Sequence, residues 1–117
     1  MPSFVKIINQ TKQRILSDRA ETAGTVFKRA RGLLGKRHFV DGDALIIRPC
    51  NSVHTFFMRF PIDILFADKN NRVVKVIPFL KPFRLSGIYL LARLAIELPA
   101  GTLQSATTEV GDILSLE

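Results

Sequence analysis

Apolar residues along this chain recur mostly at a spacing of two, the mark of strands with one buried face. Phe4-Val5-Lys6-Ile7-Ile8 and Gln13-Arg14-Ile15-Leu16 are short β-type runs on either side of Asn9 and Gln10, which predicts a hairpin. Ala44-Leu45-Ile46-Ile47-Arg48 follows the turn Asp41-Gly42-Asp43 and stops at Pro49. Over residues 62–67, Ile62, Ile64 and Phe66 share one face, while Asp63, Leu65 and Ala67 share the other. Asp68-Lys69-Asn70-Asn71 turns the chain, because Asn and Asp tolerate left-handed backbone. Arg72-Val73-Val74-Lys75-Val76-Ile77 then returns as a partner strand, with Pro78 and Pro82 marking a loop. Leu94, Ile96 and Leu98 alternate with Ala95 and Glu97 in a further strand, ended by Pro99-Ala100-Gly101. Residues 102–109 read as a loop or a single helical turn, and 113–116 as a last strand.

Helical spacing replaces this pattern in one place. Val26, Ala30, Leu33 and Leu34 line one face, Lys28, Arg29 and Arg31 lie on the others, and Gly32 and Gly35 end the run near Leu34. Asp18 and Glu21 have the spacing of a capping box upstream, with alternative starts at Thr22 or Thr25. About seven short strands and one short helix predict a mainly β fold, a small sandwich or barrel-like domain with the helix packed on it. At 117 residues the chain is expected to form a single domain over 1–117.

Composition adds limits. Hydrophobic residues at 47% and charged ones at 23% suit an ordinary globular protein. The longest apolar stretch, Ile88-Tyr89-Leu90-Leu91-Ala92, is stopped by Arg93, far short of the ~18 residues of a membrane span. Lys12 and Arg14 follow the first strand with no leader-like apolar region, so a cytoplasmic location is expected. One cysteine excludes an internal disulfide and any multi-cysteine zinc site. The net charge of +7 is unevenly spread: every charge from Lys69 to Arg93 is positive, and every one after Glu97 is negative. Such a basic field favours anionic partners without naming one.

The candidate chemistry concentrates in residues 50–66, which hold the lone cysteine, one of two histidines and four of nine phenylalanines. Charges inside so apolar a run need partners, because an unpaired buried charge is costly. Asp63 is either a site carboxylate held by Arg59 or His54, or a structural one bonding loop amides or an arginine. Cys50 and His54 are a candidate nucleophile and base. In an extended segment they would lie about 13 Å apart, so only a tight loop after Pro49 would join them. The competing reading is a structural Cys beside a half-buried, hydrogen-bonded His. A metal held by His54, Asp63 and either His38 or Cys50 suits zinc chemically, yet no spacing matches a ligand pattern. No metal or other cofactor is expected. Arg29 and Arg31 beside Gly32 either clamp a phosphate or carboxylate, or form a solvated helix face. Phe79, Lys81, Phe83 and Arg84 make a basic, aromatic loop of the kind that stacks on single-stranded nucleic acid, though no RNA-binding signature accompanies it.

Taken together, Arg29-Ala30-Arg31-Gly32-Leu33-Leu34-Gly35, the run from His54 to Phe66, Val73-Val74, Glu97-Leu98-Pro99-Ala100-Gly101-Thr102 and Val110-Gly111-Asp112 resemble the domain of unknown function 192 family. The resemblance covers nearly the whole chain from the expected helix onward. It implies a compact, mainly β domain with a short helix bearing the Arg-x-Arg-Gly segment, and it implies no activity. Many members carry Trp before the methionine and Lys-Asn after it, where this chain has Phe57 and Arg59-Phe60.

The resulting expectation is a non-enzymatic domain that binds a polar or anionic small ligand, or a partner protein, at a pocket around the 51–63 stretch. Asn51, His54, Arg59 and Asp63 would form it, with Arg29 and Arg31 at its rim. The alternatives are a hydrolase-like enzyme dependent on Cys50 and His54, and a basic nucleic-acid-associated protein. An exposed edge at either terminal strand offers a route to a dimer without deciding the oligomeric state.

Overall fold

The structure is a computed structural model that describes residues 4–23, 39–56 and 58–117. The helix expected over 26–34, with Arg29 and Arg31, lies outside the described residues. The described elements are β1 (Phe4–Asn9), β2 (Arg14–Ala23), β3 (Asp43–Ile47), β4 (Ile62–Ala67), β5 (Val73–Leu80), β6 (Leu94–Pro99), a short helix α1 (Thr102–Ser105) and β7 (Leu114–Leu116). No described helix is long and apolar enough to cross a membrane.

The seven strands form one sheet in the order β5-β4-β6-β3-β2-β1-β7. Neighbours are antiparallel except β2 and β3, which run parallel from Arg19↔Asp43 to Ala23↔Ile47. The sheet curls into a half-barrel until its two edges meet at one end. There the Val73 amide donates to Asp112 O, Gly111 to Val73 O and Leu114 to Asn71 O, each at 2.8 Å.

Two apolar clusters follow from the strand alternation. The inner one draws on every strand, including Ile7, Leu16, Ile46, Leu65, Val73, Ile96 and Leu114, and is closed by Leu103 and Ala106 at α1. Only the inside of a curl is reached from all seven strands. The second lies on the opposite face of β3, β6 and β4, where Leu45, Ile47, Ile62, Ile64, Phe66 and Ala95 pack under Cys50, Val53 and Met58. The expected division of β4 into two faces therefore holds, and both faces are buried.

Two local expectations give way to tertiary pairing. Asp18 and Glu21 do not start a helix; both belong to β2, which is paired with β1 on one side and β3 on the other. Ladders on both edges outweigh a capping signal worth about 1 kcal/mol. Pro78 does not end β5 either. Ile62 pairs with Leu80 and Ile64 with Ile77, so two steps along β4 match three along β5. The extra residue forms a bulge, a place where a proline without an N–H is tolerated.

Candidate functional site

Beyond β3 and β5 the chain builds an arm from two segments that run antiparallel, residues 50–55 and 83–93. The Cys50 amide donates to Arg93 O (3.0 Å), Tyr89 to Asn51 O (2.9 Å), Ser86 to Val53 O (2.9 Å) and Thr55 to Arg84 O (2.8 Å). Val53 and Met58 turn inward from it onto the outer apolar cluster. A bridge pairs His54 with Leu85. The alternation of a short strand thus buries Val53 and Thr55 while exposing His54.

Thr55 is fully buried and fastens the arm. Its hydroxyl donates to Lys81 O at 2.6 Å and accepts the Arg84 amide at 2.9 Å. Its carbonyl accepts the Phe83 amide at 2.9 Å and the Met58 amide at 3.1 Å. Asp63 fastens the other end of the same loop. It is fully buried on the inner face of β4, where Oδ1 accepts the Phe79 amide at 2.9 Å. Its Oδ2 accepts the amides of Gly101 (3.1 Å) and Leu103 (2.9 Å), which joins α1 to β4 and β5. Three amides satisfy the carboxylate as fully as a cation would.

The residues singled out in sequence are therefore distributed. Cys50 is buried, with its thiol donating to Ser52 O at 3.1 Å, and no hydrogen bond joins it to His54 among the described residues. The exposed His54 ring lies against Phe56, with centroids 5.3 Å apart. Arg59 is exposed and forms no ion pair among the described residues. Asp63 faces the interior, on the other side of the sheet from Cys50, Val53 and Met58. Asn51 stands beside a cleft of about 360 Å³ lined by Pro49, Cys50, Asn51, Ser52, Leu90, Ala92 and Arg93. Among the described residues no group of His, Cys, Asp and Glu could hold a metal ion.

Sequence reading passed over three groups. Arg93 enters the cleft because its segment is hydrogen-bonded to Cys50, a pairing that no local pattern announces. Glu97 lies in β6 between Leu45 and Ile64 and is 7% exposed. Removal from water pushes its carboxyl up from 4.5 to about 7. Alternation identifies its face but not that the face is covered. The third is a polar network at the closing end of the half-barrel. Asn9 donates to Thr108 Oγ1 (3.1 Å) and to Asp112 Oδ2 (2.8 Å), and Lys12 Nζ reaches Asp112 Oδ2 at 2.9 Å. Burial pushes the Asp112 carboxyl up, yet the bonds from Asn9, Lys12 and the Glu109 amide outweigh it and hold it below its ordinary 3.8.

The fold is thus a curled β module whose buried polar side chains fasten loops to strands. Its family follows from comparison: residues 6–116 match the model of the domain of unknown function 192, described as "Uncharacterized ACR", and the chain belongs to that family. A UPF0127 protein of Pyrococcus horikoshii is 38% identical over 109 residues, spanning 91% of this chain and 94% of that one. Another UPF0127 protein, from Thermococcus gammatolerans, is 35% identical over 117 residues, spanning 93% of this chain and 73% of the relative. The crystal structure of a Novosphingobium aromaticivorans protein of unknown function shares the fold, with a TM-score of 0.82 at 18% identity over 98% of this chain and 92% of its own.

Proposed function

We propose that this domain is a non-enzymatic binding module that takes a small anionic ligand in the cleft between residues 49–52 and 90–93. The observation that carries the reading is Arg93, an exposed cation without an ion pair among the described residues, facing a cleft walled by Asn51 and Ser52. Residues that can offer a guanidinium, an amide and a hydroxyl around one cleft suit a carboxylate or phosphate, which needs several donors at once. His54 and Arg59 extend the polar surface of the same chain segment, and Asp63 acts in this reading by fixing the loop that completes the arm. The buried Cys50, hydrogen-bonded to Ser52 O, supports a wall rather than a nucleophile.

The test is NMR titration of the protein with inorganic phosphate and with citrate. Amide shifts confined to residues 49–52 and 90–93, weakened roughly tenfold or more in Arg93→Ala, are expected for a charge-assisted contact. Shifts scattered over the whole basic surface, or none up to about 10 mM anion, would refute the site.

A further inference from the structure

The second segment of the arm displays apolar side chains in a turn and a loop, positions that ordinarily carry polar ones. Ala92 N–H donates to Tyr89 O at 2.8 Å, which closes a turn with Leu90 and Leu91 at its two corners. Turn corners ordinarily carry Gly, Pro, Asn or Asp. Here they carry leucines that are 84% and 74% exposed. Leu85 and Ile88, earlier on the same segment, are both 69% exposed. The amides of Ser86 and Tyr89 donate to Val53 O and Asn51 O, which holds the backbone of this segment so that its side chains are displayed rather than free to fold back. Four aliphatic side chains so exposed within seven residues exceed the scattered single ones of an ordinary surface and mark an interaction site.

The charges around this segment select the occupant. Lys81, Arg84 and Arg93 are exposed, and the stretch from Lys69 to Arg93 contains no acidic residue to repel an anionic surface: its charges are Lys69, Arg72, Lys75, Lys81, Arg84 and Arg93. We propose that the segment of residues 81–91 docks on an anionic lipid bilayer, with Leu85, Ile88, Leu90 and Leu91 entering the acyl boundary and Lys81 and Arg84 meeting the headgroups. Exposed aliphatic side chains need no matching groove in a bilayer. The four most exposed of its apolar side chains are aliphatic and offer no π-face to a nucleic-acid base, and the Phe83 ring is less exposed than any of them, which sets this surface apart from a stacking platform. The combination of one apolar element and a few flanking cations is the two-signal arrangement that reversible attachment requires.

The experiment is co-sedimentation of the full chain with vesicles of phosphatidylcholine alone and with about a quarter phosphatidylglycerol. Binding is expected to the anionic vesicles and to weaken at about 0.5 M salt. Replacing Leu85→Ser and Leu91→Ser together should weaken it roughly tenfold or more, since both exposed side chains would leave water on docking. Lys81→Gln and Arg84→Gln should each weaken it roughly fivefold. These side chains are exposed, so the variants should keep the wild-type thermal midpoint. None of the four substituted residues lines the cleft, so anion binding there and docking of this segment fail separately. No binding to the anionic vesicles, or binding indifferent to the leucine substitutions, would overturn the proposal. Tighter binding to single-stranded oligothymidylate, lost with the same substitutions, would overturn it in favour of nucleic acid.

Discussion

Glu97→Gln isolates the consequence of placing a carboxyl between Leu45 and Ile64. In the unfolded chain the group releases its proton near its ordinary 4.5, whereas burial holds the proton on in the native state up to about 7. Between those values the native state binds more protons than the unfolded one, so stability falls as pH rises through the window and levels off above it. A displacement of about two and a half units corresponds to roughly 3 kcal/mol at full development. Glutamine keeps the volume and removes the titration. The variant should therefore match the wild type at about pH 4 and exceed it by up to roughly 3 kcal/mol at about pH 8. Urea unfolding of both proteins across that range measures it, and contributions from other groups cancel in the difference. A variant less stable than the wild type throughout would refute the reasoning, because it would mean an ionised carboxylate matched by a cation. Wild-type stability that gains on the variant as pH rises would refute it equally.

Two further outcomes test the buried polar network. Asp63→Ala should cost at least about 3 kcal/mol, since three amides lose their acceptor; hydrogen exchange should speed up first at Phe79, Gly101 and Leu103. Unchanged protection at those amides would remove Asp63 from its fastening role. Asp112→Asn should cost about 2 kcal/mol near neutrality through its bonds to Asn9 and Lys12. The Asp112 carboxyl lies below its ordinary value when folded, so this stabilisation is present above about 3.8 and fades as pH falls toward the folded value. Denaturant midpoints of the two proteins should therefore converge in acid, and a constant gap would contradict the account.

What was legible in sequence was what neighbours along the chain decide. The β4–β5 hairpin is announced by strict alternation and by Asp68-Lys69-Asn70-Asn71, and the inner and outer faces of β4 follow from the same period. Strand order is another matter. The parallel pairing of β2 with β3 and the meeting of the sheet edges depend on curvature that no window of ten residues encodes. Asp63 shows the same limit in the site: its need for partners is evident from its apolar surroundings, but its amides come from positions 16, 38 and 40 residues away. Glu97 was hidden for the opposite reason, because an alternating strand assigns a glutamate to the solvent until another segment covers that face.

These placements separate holding from recognition. The stretch densest in chemistry, residues 50–66, turns Thr55 and Asp63 inward, and both are consumed by backbone amides and carbonyls of the loop opposite. Residues 79–85 are consequently fixed at both ends before any ligand arrives. A loop already ordered loses little entropy on binding, so side chains displayed from it recognise at lower cost than those on a mobile segment. The division predicts two distinct behaviours under mutation. Changes at Thr55 or Asp63 should lower stability and recognition together, whereas changes at the exposed Lys81, Arg84 or Leu85 should lower recognition while the fold stays intact.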